Sequence, residues 1–261
     1  MRLKTIFGAI CIAAAPAALS DNHASDGPSW SVGAPLEIYG CSFKDGIDGY
    51  EQSQRFAASW NKWADDNDAF GSHVAQLMWS EFSDGQYPTE FGWLGYWDSY
   101  ESAGKDMDIR SENGEEMYAE ANKFLENCAH SDWGAWVLVQ AGDFTNDNHL
   151  TEFSDCVYKD GKSDDDLLVA NMAYAELLED RGFNGESMGM AQLWPRAGAP
   201  SGIGNSPSFK WVVGHANFAA YSNFTNELWN EGLLLDFNRL YGDIVQCDSN
   251  RVYQSQVIRT P

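Results

Sequence analysis

Apolar positions along this chain recur first with period two and then with period three to four, and the succession is run through twice. Alternation over residues 36–43 predicts a strand. Asp48-Gly49-Tyr50 then opens a helix to about Ala64, with Phe56, Trp60, Trp63 and Ala64 on one face. Strands follow over residues 75–79 and 91–97, Ser99 caps a helical region ending near Cys128, and residues 133–140 close the set as a strand. The order then returns. A strand over 151–158 precedes a helix from the Ser163 cap to about Asp180, with Leu168, Met172, Ala175 and Leu178 as its stripe. Strands over 191–195 and 209–215, a helical region opened by Asn217 and ending near Cys247, and a strand over 252–259 complete it.

Residues 36–46 and 151–161 match at an offset of 115, pairing Glu37 with Glu152 and Cys41 with Cys156, and each ends in a Lys-Asp-Gly turn. Ala-Gln-Leu occurs at 75–77 and 191–193, an offset of 116. The second and third strands of the first copy are joined at Asp84-Gly85, and those of the second by a Gly-, Pro- and Ser-rich stretch over 197–208 that reads as a flexible flap or a surface loop. Strand–helix–strand–strand–helix–strand is the split βαβ, ferredoxin-like order. Two such units are expected, over residues 35–142 and 143–261.

Composition adds a compartment and a charge. Arg2 and Lys4 precede an apolar run over 6–18, and Ala18-Leu19-Ser20 places small residues at a cleavage site, so residues 1–20 read as a signal peptide. Residues 21–34 read as a flexible lead-in. No later stretch reaches the roughly 18 consecutive apolar residues of a spanning helix. A periplasmic or secreted home is expected. The net charge is −23. Such a surface repels phosphate backbones and anionic lipid, which sets aside nucleic-acid and membrane partners. Solubility is its first consequence, and cationic ligands or metal ions are the lesser alternative.

Cys41, Cys128, Cys156 and Cys247 lie beyond the leader, an even number for an oxidising compartment. Three pairings are open to them. The repeat favours Cys41 with Cys128 and Cys156 with Cys247, separated by 87 and 91 positions, because each copy then receives one matching bridge. The ferredoxin-like order agrees, since its fourth strand starts beside the end of its first.

With this element order, two copies and aromatic-rich third strands at Phe91-Gly92-Trp93-Leu94-Gly95-Tyr96-Trp97 and Phe209-Lys210-Trp211-Val212-Val213-Gly214-His215, the chain resembles the dimeric α+β barrel superfamily. That group includes antibiotic-biosynthesis monooxygenase-like and NIPSNAP-like domains, and the resemblance covers nearly all of residues 35–260. It implies an α+β fold in which tandem ferredoxin-like βαββαβ repeats form an intrachain pseudo-dimeric α+β barrel, with one disulfide per repeat. It also implies a small-molecule ligand, cofactor-independent monooxygenation or isomerisation, and room for homo-oligomers. Chlorite dismutases and dye-decolourising peroxidases share the superfamily and carry haem. The chain lacks the peroxidases' G-x-x-D-G motif and offers His215 alone as axial ligand, so no cofactor is expected and haem is the lesser alternative.

Alternation puts Phe91, Trp93, Gly95 and Trp97 on one face, and Phe209, Trp211, Val213 and His215 on its counterpart. Either these faces line a cavity in which Trp93, Trp97 and Trp211 hold a ligand, or they are ordinary core. Trp97 corresponds to His215, so one copy carries a group able to act as acid, base or ligand. Glu37 and Glu152, if enclosed, must be paired or protonated, the setting of a general base. Near the strand start both can instead reach solvent at the barrel rim, which is the preferred expectation. Gln76 and Gln192 are either cavity hydrogen-bonders or structural links. Gly185-Glu186-Ser187-Met188-Gly189 fits G-x-S-x-G but lacks the preceding strand and following helix, so Ser187 reads as a turn residue. There is no H-E-x-x-H, and Asp65-Asp66-Asn67-Asp68 lacks EF-hand spacing, so no metal site is expected. Two functions compete. One is an exported barrel acting on a small, partly aromatic molecule through His215, Glu152 and Glu37; the other is a non-enzymatic scaffold whose exposed tryptophans bind glycan or protein.

Overall fold

The computed structural model describes residues 33–83, 89–141, 149–199 and 208–261. The leader, nearly all of the lead-in, the Asp84-Gly85 connection and most of the 197–208 loop lie outside them. The first half of the chain forms β1 (Ala34–Phe43), α1 (Gly49–Asp66), β2 (His73–Phe82), β3 (Phe91–Trp97), α2 (Tyr100–Asn113), α3 (Glu115–Ala121) and β4 (Leu125–Val139). The second forms β5 (His149–Tyr158), α4 (Asp164–Asp180), β6 (Met188–Ala197), β7 (Phe209–His215), α5 (Phe218–Trp229), α6 (Leu233–Tyr241), β8 (Val245–Cys247) and β9 (Arg251–Arg259). Among the described residues no helix is long and apolar enough to cross a membrane.

Every ladder is antiparallel. The strands run β7-β6-β4-β1-β3-β2-β9-β5, and the pairing of β5 with β7 closes them into an eight-stranded barrel, with β8 adding to β5 outside the ring. Closure leaves no free edge in the ring, which removes the usual route to strand-to-strand aggregation. Two seams join the halves: β2 with β9 and β4 with β6.

Local chemistry sets the helix starts. Asp48 accepts from the Glu51 amide, Ser99 from Ser102 and Asn217 from Ala220, and the Ser163 amide donates to the Asp166 carboxylate. Each such cap satisfies an amide that the first helical turn leaves open. The Lys-Asp-Gly turns hold Gly46 and Gly161 both at φ 75°, a left-handed conformation that favours glycine. Just before them, the Lys44 amide bonds the Phe124 carbonyl and the Lys159 amide the Ile244 carbonyl, both at 2.9 Å. The two disulfides, Cys41–Cys128 and Cys156–Cys247, bring their Cα atoms to 4.1 and 4.0 Å.

Three apolar layers result. The barrel lumen is filled by Leu36, Met78, Tyr96, Trp133, Phe153 and Tyr253 among others. Outside the barrel, α1–α3 cover one half of the sheet over Trp60, Trp93 and Trp97, and α4–α6 cover the other over Tyr174, Trp211 and Tyr241. Burying each large side chain stabilises by about 1.5–3 kcal/mol.

Several expectations are corrected. Each second helical region is two helices, broken at Gly114 and Gly232. β4 starts at Leu125 and carries Cys128 within it, rather than beginning after the cysteine. The α4 stripe is Leu167, Asn171, Tyr174 and Leu178, while Met172 is exposed. A hydrophobic pattern passes over that phase because Asn171, a polar residue, occupies the seam. The Ala-Gln-Leu match also misleads. Leu77 of β2 faces the helices as Gln192 of β6 does, and Gln76 faces the lumen. The shared tripeptide therefore lies on opposite faces in its two occurrences.

Candidate functional site

The aromatic faces of β3 and β7 point under the helices, away from the barrel lumen. Trp93 and Trp97 pack with Trp60 of α1, and Trp211 packs with Tyr174 and Tyr241. Trp97 and Trp211 are thus core residues, and Trp97 donates its indole N–H to the buried Asp106 at 2.8 Å. The lumen keeps a cavity of about 80 Å³, walled by Leu36, Leu94, Val212 and Gln76 among others. Gln192 is elsewhere, exchanging two hydrogen bonds with Asn171 at 2.7 and 2.9 Å.

Neither glutamate reaches solvent at a rim. Both sit on the helix-covered face and are 2% and 5% exposed for Glu37 and Glu152. Burial is tolerable because each is paired. Glu152 accepts from Asn250 and contacts His215 Nε2, both at 2.5 Å. His215 and Glu152 are therefore brought together, but neither the lumen cavity nor the chamber described below is lined by either of them. Glu37 accepts from Arg110 Nη1 at 2.9 Å and bonds His130 Nε2 at 3.0 Å. Burial pushes its carboxyl up, but the His130 hydrogen bond and the positive Arg110 outweigh that and hold it below the usual carboxylate range.

The first half has its own imidazole, unnoticed in the sequence. His73 of β2 stands opposite Trp97 of β3, just as Met188 of β6 stands opposite His215 of β7. The imidazole has thus changed strands between the halves. His73 is fully buried, with Nε2 4.0 Å from Glu37. Gly95 makes room for it, since a Cβ there would lie 2.3 Å from His73 Nε2. Burial drives the imidazole down to about 3, against the pull of Glu37 and with help from Arg259 and Arg110, so it is neutral at ordinary pH.

Beside this cluster lies a chamber of about 140 Å³ between β1, β3, β4 and the helices α1–α3. Phe56, Trp60, Trp93 and Tyr118 are among its walls, Glu37 and Arg110 form its polar end, and Ala121 faces it from the end of α3. The second half is filled at the same place. Lys44 Nζ bonds the Asn122 carbonyl and Lys159 Nζ the Gly242 carbonyl, which puts Ala121 of one half in correspondence with Tyr241 of the other. Tyr241 is fully buried, packs on Trp211 at 5.0 Å and donates its hydroxyl to Asn171. The chamber exists where a methyl group replaces that ring. No sequence signal pointed to it, because the paired helices of the two halves do not align.

Ser187 lies in the turn before β6, its hydroxyl on the Asn184 carbonyl. Among the described residues no group of three His, Cys, Asp or Glu is arranged to hold a metal ion. Haem does not fit the residues present. Its candidate ligand His215 is fully buried and lines neither cavity, and a chamber of about 140 Å³ takes one ring rather than a macrocycle.

No family model and no curated protein matches the sequence. Solved structures do match the fold. A presumptive monooxygenase of Fusobacterium nucleatum is similar at 11% identity and TM-score 0.56, over 87% of this chain and 93% of its own. One from Lactobacillus acidophilus is similar at 12% and 0.53, over 87% and 95%. An anthrone oxidase-like protein is similar at 10% and 0.50, over 87% and 94%. At such identities the likeness establishes the α+β barrel fold.

Proposed function

We propose that this chain is an exported protein, built from two copies of one ferredoxin-like unit over residues 35–142 and 143–261, that binds a small aromatic molecule in the chamber beneath α1–α3. The common neighbour order, β4-β1-β3-β2 and β9-β5-β7-β6, supports the duplication. Export rests on the leader-like residues 1–20 and the two disulfides. The observation that carries the binding reading is the replacement of Tyr241 by Ala121, which leaves one half hollow. An apolar cavity of roughly 150 Å³ accepts a benzene ring, so the chamber is of a size for one aromatic ring.

The activity implied by the barrel resemblance, cofactor-independent oxygenation or isomerisation, needs a base at the ligand. His215 and Glu152 are set apart from the chamber, whereas Glu37 borders it. Glu37, already held by Arg110 and His130, serves here to fix the polar end. The rival reading, surface stacking on glycan or protein, has weaker support: among the described tryptophans Trp229 alone is exposed.

Ala121→Tyr tests the binding reading by copying the filled half. Calorimetric titration with one-ring aromatics should give binding to the wild type and at least a tenfold loss in the variant, with the fold retained. Equal binding by both would place the ligand elsewhere and refute the chamber.

A further inference from the structure

The barrel lumen holds a polar side chain that the described residues leave unsatisfied. Val74 and Met78 of β2 belong to the lumen core, whereas Ala75 and Leu77 lie under the helices, so Gln76 points inward with the former pair. It is 9% exposed, lines the lumen cavity and is bonded to no other group among the described residues. Gln192, its match in the shared Ala-Gln-Leu sequence, commits both ends of its amide to Asn171. An enclosed amide without a partner is costly, so the space in front of Gln76 favours a group that hydrogen-bonds.

Comparison of the halves shows why that space exists. His73 and Met188 take corresponding places opposite Trp97 and His215. Three residues on from that pair Gln76 corresponds to Ala191, and one residue before Trp97 and His215 Tyr96 corresponds to Gly214. All four line the cavity. The second half thus leaves a methyl group and a hydrogen where the first carries an amide and a phenol. Thr151, which answers to Leu36, is also in the wall; its hydroxyl shares one hydrogen bond with Ser255 at 2.7 Å and keeps capacity for another. Ala34 and His149, the first residues of β1 and β5, border the cavity too, so it lies at one mouth of the barrel.

The walls restrict what can enter. No carboxylate, lysine or arginine borders the cavity, so an ion inside would lose its water without meeting a counter-charge. At about 80 Å³ the cavity has roughly half the volume that accepts a benzene ring, which leaves room for roughly three to five non-hydrogen atoms. Gln76 offers a carbonyl acceptor and N–H donors side by side, and a primary amide presents the same groups in the complementary order. Independently of the chamber beneath α1–α3, we infer that the lumen is a binding site for a small uncharged primary amide, paired with Gln76 and resting its alkyl end against Ala191, Leu193 and Val212.

Nuclear Overhauser contacts from acetamide, acetone and acetate to the methyl groups of the full-length protein test the inference. The acetamide methyl is expected to contact Leu36, Leu94, Leu193 and Val212. Acetamide should bind about tenfold more tightly than acetone, which can accept but not donate, and acetate should give no contact. Gln76→Met keeps the bulk of the side chain and removes its amide, and should bring acetamide down to the level of acetone. Ala191→Leu should fill the cavity and abolish the contacts of both. Equal binding of acetone and acetamide overturns the inference, as does an acetamide preference that survives Gln76→Met. A lumen in which water alone contacts the Gln76 amide overturns it as well, because solvent then supplies the missing hydrogen bonds.

Discussion

His73 is a titratable side chain enclosed by aromatic rings, among them Trp97 at 4.4 Å and Phe70 at 5.1 Å between centroids. Folding removes its hydration without supplying a hydrogen-bond partner, so the neutral form is the stable one. The consequence is a defined pH window. The unfolded imidazole protonates near its ordinary value of about 6.5, whereas the folded one resists until about 3. Between those values the unfolded chain binds the extra proton, so stability falls as pH drops, by up to about 1.4 kcal/mol per pH unit from this group. Glu37 acts in the same direction lower down: its depressed carboxyl contributes stability above the unfolded carboxylate range and loses it as pH falls through the folded value. His73→Leu should therefore flatten the dependence between pH 4.5 and 6.5 and leave the acid limb below it. Urea midpoints measured across that range check this, and an unchanged slope would mean that His73 ionises inside the fold.

At the scale of elements, the two sheet–helix layers solve one packing problem differently. In the second, Asn171 of α4, Gln192 of β6 and Tyr241 of α6 form a closed polar network, every bond between 2.7 and 2.9 Å. Gln192→Leu should cost about 1–3 kcal/mol, because the buried Asn171 Nδ2 loses its partner while Oδ1 keeps the Tyr241 hydroxyl. Adding Asn171→Leu together with Tyr241→Phe should recover part of that loss, because no buried polar group of the network is then left unpaired, an outcome that chemical denaturation of the variants can resolve. The same layers explain what the sequence made legible. Most strand positions, the first helix of each copy, the caps and the turns follow from local periodicity, a short-range property, and the cysteine pairing from the repeat at an offset of 115. Which strand face meets the helices does not. Both faces of this sheet are buried, one in the lumen and one under helices, so alternation separates Trp93 from Leu94 without saying which is inside. That ambiguity left Trp97 and Trp211 open between cavity lining and core, and Gln192 between cavity hydrogen-bonder and structural link; all three lie under the helices. The chamber was hidden for a further reason, since it depends on Ala121 and Tyr241 meeting corresponding strands through helices of different length.

Across the whole molecule, neither half owns its sheet. β9 pairs with β5 of its own half and with β2 of the other, so it is a central strand of the ring. Its side chains reach further into the first half: Arg259 donates to Asp65 and to the Phe70 carbonyl, and Asn61 of α1 donates to the Ile258 carbonyl. The chamber is built from first-half residues, yet its helix α1 is held in place by the last strand of the chain. Ending the chain after Asn250 would open β2 and β5 as edges and strip those anchors from α1. Each exposed edge leaves backbone groups without ladder partners and lumen residues such as Met78 and Phe153 uncovered. The truncated chain should therefore lose the near-ultraviolet dichroism of Trp60 and Trp93 and unfold without a cooperative transition, even though every residue lining the chamber is retained. A truncated protein that kept that dichroism and a sharp transition would mean that the first half folds alone. The chamber would then be a property of one unit, and barrel closure would contribute nothing to it.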